Sequence, residues 1–337
     1  MFAFFFFLQN MKEKLSVEFF RGLPILVMGD LMLDTFCVGK VNRQSPEFDI
    51  PVLDFDQQFY SLGGAANVSR NLKSLKGRPI TLGFNGNDAA NKRILEIFED
   101  YGMERTYLKT SVDRITTEKI RFFNDKLPLL RMDKETNIPM GKDEIKKLER
   151  NLRLIFKREP ISFAILQDYN KGFFTKESID LITYFLRTHK IPFAVDPKKD
   201  NFWDWFNPTI FKPNLKEISE ALGYNVLPNK RELDKSARII FEKIYAENIL
   251  ITLGENGIYY NDRKKSGIIP ANKFNIQDVS GAGDTVISTA AMAYCCNFNL
   301  EQIAYLSNLA AGLVCQLPYV QPLPLDELSN CLSNIRH

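Results

Sequence analysis

The chain has 337 residues, 45% of them hydrophobic and 25% charged, with a formal net charge of +3 at pH 7. This is the composition of a globular protein long enough for one large α/β domain and a smaller appendage, and so small a charge gives no broad nucleic-acid surface. Five cysteines without metal-ligand spacing and only two histidines, His189 and His337, argue against a histidine triad or a histidine-rich metal site, and the odd cysteine count suits reduced thiols in a cytoplasm.

In chain order, Met1 to Leu8 is a phenylalanine-rich burst. It is too short to span a bilayer and lacks the basic start and small-residue cleavage site of a signal peptide. Met11 offers a second start. Residues 1–10 therefore read as a translation-start extension inside an N-terminal segment of residues 1–20, the alternative being an apolar patch that packs on a neighbour. Pro24 to Met28 is an apolar strand that ends at Gly29-Asp30, with Asp34 just beyond. Ligands of open α/β sheets bind at such carboxyl ends, so Asp34 is a candidate for a polar substrate, or else a solvated loop carboxylate. Val38 to Phe55 reads as two short strands too polar for a central sheet. Ser61 to Asn67 is a glycine turn, with Gly63 and Gly64, that enters a helix over Val68 to Lys76.

Ile80 to Gly83 is a strand, and Asp88 opens a helix to Tyr101. Tyr107 to Asp133 alternates in short β-like runs. Grouped with the earlier polar strands, these predict a lid sheet from about residues 35–60 and 104–134, set on a main domain over 21–335. Helices over Lys142–Phe156 and Thr175–Thr188 alternate with strands over Ser162–Gln167, Pro192–Val195 and Thr209–Lys212. That alternation predicts a doubly wound, mostly parallel sheet flanked by helices. Asn214 and Glu217 share a face in a first helical turn, as a cap pair would. Ile249 to Leu253 is a strand, and the Gly254–Gly257 stretch turns it into a hairpin.

Asp278-Val279-Ser280-Gly281-Ala282-Gly283-Asp284-Thr285 then opens a helix of small and apolar residues. Glycines bring the backbone close to a ligand, and the unpartnered amides of a helix start favour an anion such as phosphate. A carboxylate at Asp284 beside such a site makes sense as a base that takes a proton from an attacking hydroxyl; the plain alternative is a capped turn with an exposed aspartate. The helix-start amides predict that Asp284 is ionised near neutral pH.

The octet resembles the C-terminal signature of the ribokinase-like (PfkB-type) sugar kinases, and Gly63-Gly64 with Asn67 resembles the N-terminal one. The resemblance implies a ribokinase-like fold with a β lid, and ATP-dependent phosphorylation of a sugar. It implies Asp284 as catalytic base and the amides of Gly281, Ala282 and Gly283 as an anion hole. It places Asp34, Gly63, Gly64 and Asn67 on the sugar. Thr252, Gly254, Gly257 and Asn308 fall on the nucleotide, and Asn214 and Glu217 on the phosphates of magnesium–ATP, through water. Asp278 is a weak candidate for a monovalent cation such as potassium; Asp278 and Ser280 serve turn capping equally well. Ser45-Pro46-Glu47, Asp168-Tyr169-Asn170-Lys171-Gly172 and Asp196-Pro197-Lys198 are similar to the D-glycero-D-manno-heptose 7-phosphate kinase branch. For a phosphate-bearing sugar the cationic candidates are Arg43, Arg121, Arg131, Lys171 and Lys198.

Many enzymes of that branch carry a C-terminal nucleotidyltransferase domain; with the chain ending at His337, a second activity is expected to lie elsewhere. One departure stands out: where the family runs into a glycine-rich loop, this chain reads Cys315-Gln316-Leu317-Pro318-Tyr319. No membrane or nucleic-acid partner is expected, and an exposed lid edge suggests a homodimer through the lid. The rival readings are another sugar kinase of this fold and a catalytically silent sugar-binding regulator.

Overall fold

A computed structural model describes residues 16–334, so the expectation for residues 1–10 lies outside the described residues. The strands are β1 (Pro24–Gly29), β2 (Leu31–Gln44), β3 (Pro51–Gly63), β4 (Arg78–Asn85), β5 (Leu108–Thr110), β6 (Thr117–Asn124), β7 (Leu127–Lys134), β8 (Phe163–Gln167), β9 (Phe193–Asp196), β10 (Ile210–Phe211), β11 (Asn248–Thr252), β12 (Ile258–Asn261) and β13 (Ser266–Ile269). The helices are α1 (Gly64–Ser74), α2 (Ala89–Asp100), α3 (Lys142–Arg158), α4 (Lys176–Thr188), α5 (Leu215–Leu222), α6 (Lys230–Ile244), α7 (Ala282–Cys295), α8 (Leu300–Val314) and α9 (Leu325–Asn334).

β1 is apolar along its length because both its faces are covered. Ile25 and Val27 enter one core with α1, α7, α8 and α9, while Leu26 and Met28 enter the other with α3, α4 and α6. The nine-stranded sheet runs β13-β12-β11-β10-β9-β8-β1-β4-β5. All its pairs are parallel except those of β12 with β11 and β13. β1 sits between β4 and β8, so the winding reverses there. The carboxyl ends of β1 and β8 flank the crevice where such sheets take ligands.

A second sheet, ordered β3-β2-β6-β7, forms the lid. Its strands are longer than the two short runs read from the sequence, since β2 and β3 pair from Met32↔Gly63 out to Gln44↔Pro51. The window 104–134 was too wide at its start: β5 pairs with β4 and extends the main sheet instead. Three residues of β-like sequence do not say which sheet edge they join. Helix α1 starts at Gly64, earlier than Val68; Gly64 takes φ +56° against the Asp30 carbonyl, where a Cβ would lie 2.3 Å from the oxygen, and the Ala65 amide donates to that carbonyl at 2.9 Å.

Candidate active site

The N-termini of α1 and α7 meet beside the switch point. The two helices are tied by Thr285 Oγ1 on Asn71 Oδ1 (3.1 Å) and Ser288 Oγ on the Val68 carbonyl (3.3 Å). Asp284, in the first turn of α7, is only 3% exposed. Its Oδ2 accepts from Asn67 Nδ2 at 2.7 Å, and its Oδ1 accepts from Tyr169 Oη at 3.0 Å and Gln167 Nε2 at 3.2 Å. Burial raises its pKa to about 6; the Asn67 bond opposes that and the nearby Asp196 carboxylate adds to it. The expected preference for the carboxylate is thus reversed in direction. Desolvation outweighs the donors, although the group still ionises below neutral pH.

Gly281 is the N-cap of α7 at φ +80°, and a Cβ there would stand 3.0 Å from both Asn67 Nδ2 and Val320 Cγ1. The first i→i−4 bond of the helix runs from the Thr285 amide to the Gly281 carbonyl at 3.0 Å, so the preceding amides lie outside the helical ladder. One of the expected anion-hole amides is drawn elsewhere: Ala282 N makes a 3.3 Å turn bond to the Val279 carbonyl. At Gly283 a Cβ would meet only Lys212 Nζ, at 3.7 Å.

That lysine carries no motif, and reading the sequence missed it. Lys212 is 2% exposed and its Nζ lies 3.0 Å from Asp196 Oδ2, which also accepts from Gln167 Nε2 at 2.9 Å. A buried chain therefore runs Asp284–Gln167–Asp196–Lys212, with Asp196 Oδ1 buried and unpartnered. Arg70 was missed as well. Its guanidinium holds Asn67 Oδ1 (2.7 Å), Ser61 Oγ (2.7 Å) and the Val320 carbonyl (2.9 Å). A polar residue at the carboxyl end of an apolar strand was the one available signal for Gln167 and Lys212; Arg70, inside a helix, gave none.

On the lid side, Asp34 Oδ1 accepts from Arg121 Nη1 at 2.6 Å, and that guanidinium lies over Phe36, 5.3 Å from the ring centre. Gly63 is the N-cap of α1, and a Cβ on it would stand 2.6 Å from Asp34 Oδ2. Other cationic candidates part company. Arg43 is at the far end of β2 with Asp54 (3.7 Å), and Arg131 pairs with Asp133 (2.9 Å); both arginines are exposed and neither reaches Asp34. Lys171 is held at the lid base by Glu135 (2.8 Å) and Asn137 (3.3 Å).

Lys198 bonds Glu217 Oε1 and lies over the Tyr169 ring, 5.1 Å from its centre. Burial works against its charge, but Asp196 and Glu217 outweigh it and raise its pKa. Asn214 and Glu217 form a reciprocal capping box on α5, both bonds 2.8 Å. Burial first, then Asp196, raises the pKa of Glu217. Thr252 bridges to Asn214 across the ends of β10 and β11, and the Leu253–Gly257 turn follows, with Gly254 at φ +61° and Gly257 at φ +91°.

Asn308 Nδ2 donates to the Pro270 carbonyl at 2.8 Å, tying α8 to the segment after β13. Asp278 Oδ1 accepts from the Ser280 amide at 2.8 Å, the turn-capping alternative. Among the described residues no cluster of three or more His, Cys, Asp or Glu could hold a metal. The loop after α8 turns without glycine because Tyr319 itself takes φ +62°, and its ring meets Phe59 and Phe36 of the lid at 4.5 and 5.1 Å. No helix among the described residues is long and apolar enough to cross a membrane.

A family profile described as pfkB family carbohydrate kinase matches residues 25–327. The chain is 33% identical over 317 residues to the bifunctional protein HldE of Caulobacter vibrioides, an alignment covering 94% of this chain and 64% of that protein. To the bifunctional protein HldE of Helicobacter pylori it is 32% identical over 292 residues, covering 86% and 62%. The chain thus spans a little under two thirds of the length of these relatives. Phosphofructokinase-2 from Escherichia coli, solved with substrates and products, superposes with a TM-score of 0.76 at 17% identity, over 94% of this chain and 100% of that one. Arabidopsis thaliana ribokinase, complexed with ribose and ATP, gives 0.70 at 16% identity, over 92% and 99%. These likenesses show the ribokinase-like α/β fold. With that fold, and with a family match over most of its length, the chain belongs to the pfkB family of carbohydrate kinases and is a phosphotransferase with an alcohol acceptor.

Proposed function

We propose that the protein transfers the γ-phosphoryl group of ATP to D-glycero-D-manno-heptose 7-phosphate, giving the 1,7-bisphosphate in lipopolysaccharide core precursor synthesis in the cytoplasm. The observation that carries the reading is Asp284, buried at the start of α7 and accepting from Asn67 of α1 at 2.7 Å, where two helix N-termini meet. Phosphoryl transfer needs alignment and charge stabilisation more than covalent help. Asp284 takes the proton of the sugar hydroxyl. The glycine-turn amides and Lys212 hold the moving phosphoryl group. Asn67 and Asp34 hold sugar hydroxyls, with Arg121 as the cation nearest to Asp34.

The residues around Glu217 fit magnesium: two carboxylates, Glu217 and Asp196, face one buried region, and Asp196 Oδ1 there has no partner. Asn214 and Glu217 would hold the ion through its water shell, and bound there it would neutralise charge on the ATP phosphates. Asp278 Oδ1 is engaged by its own turn, which supports a capping role for it.

The Asp-Tyr-x-Lys-Gly and Asp-Pro-Lys segments support a heptose phosphate as acceptor, with Tyr169 on the base and Lys198 over the Tyr169 ring. A panel of sugars and sugar phosphates, followed by ADP release, tests this. Fastest turnover on the heptose 7-phosphate is expected; preference for fructose 6-phosphate or ribose would reassign the substrate, and binding without turnover would favour a silent regulator. The lid is further proposed to pair two copies of the chain.

A further inference from the structure

Both oxygens of Asp284 already accept hydrogen bonds in this structure. Three donors, Asn67, Gln167 and Tyr169, occupy its carboxylate. Gln167 and Tyr169 fill both acceptor sites of Oδ1, while Asn67 alone is on Oδ2, so a sugar hydroxyl reaches Oδ1 only when one of the two donors leaves it. Of the three donors, two are fixed. Asn67 is 1% exposed, and its Oδ1 is held by Arg70 at 2.7 Å. Gln167 is fully buried, and its Nε2 is shared with Asp196.

Tyr169 differs. Tyr169 as a residue is partly exposed although its hydroxyl is buried, and that hydroxyl donates to Asp284. Its backbone, by contrast, is pinned. Asp30 accepts the amides of Tyr169, Lys171 and Phe173 at 2.8, 3.1 and 3.2 Å. The ring can therefore swing about a fixed anchor without moving the loop.

Resting on the reading of Asp284 as the base, we propose that Tyr169 is a placeholder for the acceptor: its hydroxyl occupies on Asp284 Oδ1 the position that the sugar hydroxyl takes, and sugar binding exchanges one hydroxyl for the other. Tyr169 is thus a positioning residue that keeps the base oriented and dry in the free enzyme. No bond is made or broken in the exchange, and the phenol keeps its proton, since burial pushes its pKa well above the usual value. In the free enzyme its hydrogen bond lowers the pKa of Asp284. The other charged groups around the base, Asp34, Arg70, Asp196, Lys198 and Lys212, are the same with or without this hydroxyl.

Tyr169→Phe removes the hydroxyl and keeps the ring under Lys198. The pH dependence of kcat/KM reports the free enzyme and that of kcat the complex. With D-glycero-D-manno-heptose 7-phosphate, or the panel sugar turned over fastest, the acid limb of kcat/KM should move up by about one pH unit, the scale of a hydrogen bond to a charged group. The acid limb of kcat should stay where it is. Titration of the sugar phosphate is common to both enzymes and cancels in the comparison. If both limbs move together, the phenol stays on the base in the complex and the placeholder idea is wrong; if neither moves, Tyr169 is only part of the wall. Failure of the underlying reading shows separately, as wild-type turnover in Asp284→Asn with Tyr169 intact.

Discussion

Asp284 carries two consequences at the scale of one side chain. As a base it must be unprotonated, so with a pKa near about 6 turnover should fall away below that pH and level off above it. Asp284→Asn keeps the size but cannot take the proton, and a loss of at least about 10²–10⁴-fold in turnover is expected with ATP and sugar still bound. The stability effect has the opposite sense. The folded pKa is raised, so the unfolded chain gives up this proton first. Stability then drops as pH climbs from about 4 to about 6, and the Asp284→Asn substitution should abolish that drop. Denaturant melts of both proteins across this range, beside turnover and ATP affinity, separate a base from a mere turn cap, which would leave turnover near normal. Lys212→Met should cost about 3–5 kcal/mol by leaving the buried Asp196 charge unpaired, visible as a fall in Tm that Asp196→Asn in the same chain partly restores. Asp284 and Asn67 were legible because helix-opening glycines are local signals. Lys212, Gln167 and Arg70 were not, because only the parallel sheet and the α1–α7 packing bring them together.

At the scale of elements, the cap of α5 is where the sequence allowed two readings that the geometry now joins. Asn214 and Glu217 close a capping box, and Glu217 still offers its second oxygen to Lys198. Asn214→Ala should therefore cost about 1 kcal/mol as a lost cap, and also weaken magnesium–ATP binding. Asn214→Ser restores the cap alone. Calorimetric titration with magnesium–ATP on the two variants tests this: recovery of both Tm and affinity in the serine variant would leave Asn214 with a cap role only. Alternating strands and helices were readable because each helix buries a 3.6-residue stripe and each inner strand is apolar on both faces. Sheet membership was harder. β5 and the lid strands share short, half-polar runs, and β5 joins the main sheet only through its pairing with Gly83 to Asn85 of β4.

For the molecule as a whole, the lid presents the unsolved surface. In register, Leu130 pairs with Phe122 and Met132 with Ile120, so these side chains share one face of the sheet, opposite that of Phe36, Arg121 and Phe123. Leu130 and Leu127 on β7 are 63% and 64% exposed, and Phe55 on the opposite edge strand, β3, is 65% exposed. A sheet face with this much apolar surface in water, beside two open strand edges, is costly to leave uncovered. A second copy of the same lid would cover it with like residues about a twofold axis, the commonest arrangement of soluble oligomers. The inner face would gain by this, because Asp34 and Arg121 sit on β2 and β6 as a 2.6 Å pair that a clamped lid would hold in place. Leu130→Asp should therefore give a monomer by light scattering, with a higher KM for the sugar and little change in the Tm of the main domain. A wild-type chain already monomeric at micromolar concentration, or a dimer that survives the aspartate, would take the pairing off the lid and leave its apolar face to some other partner.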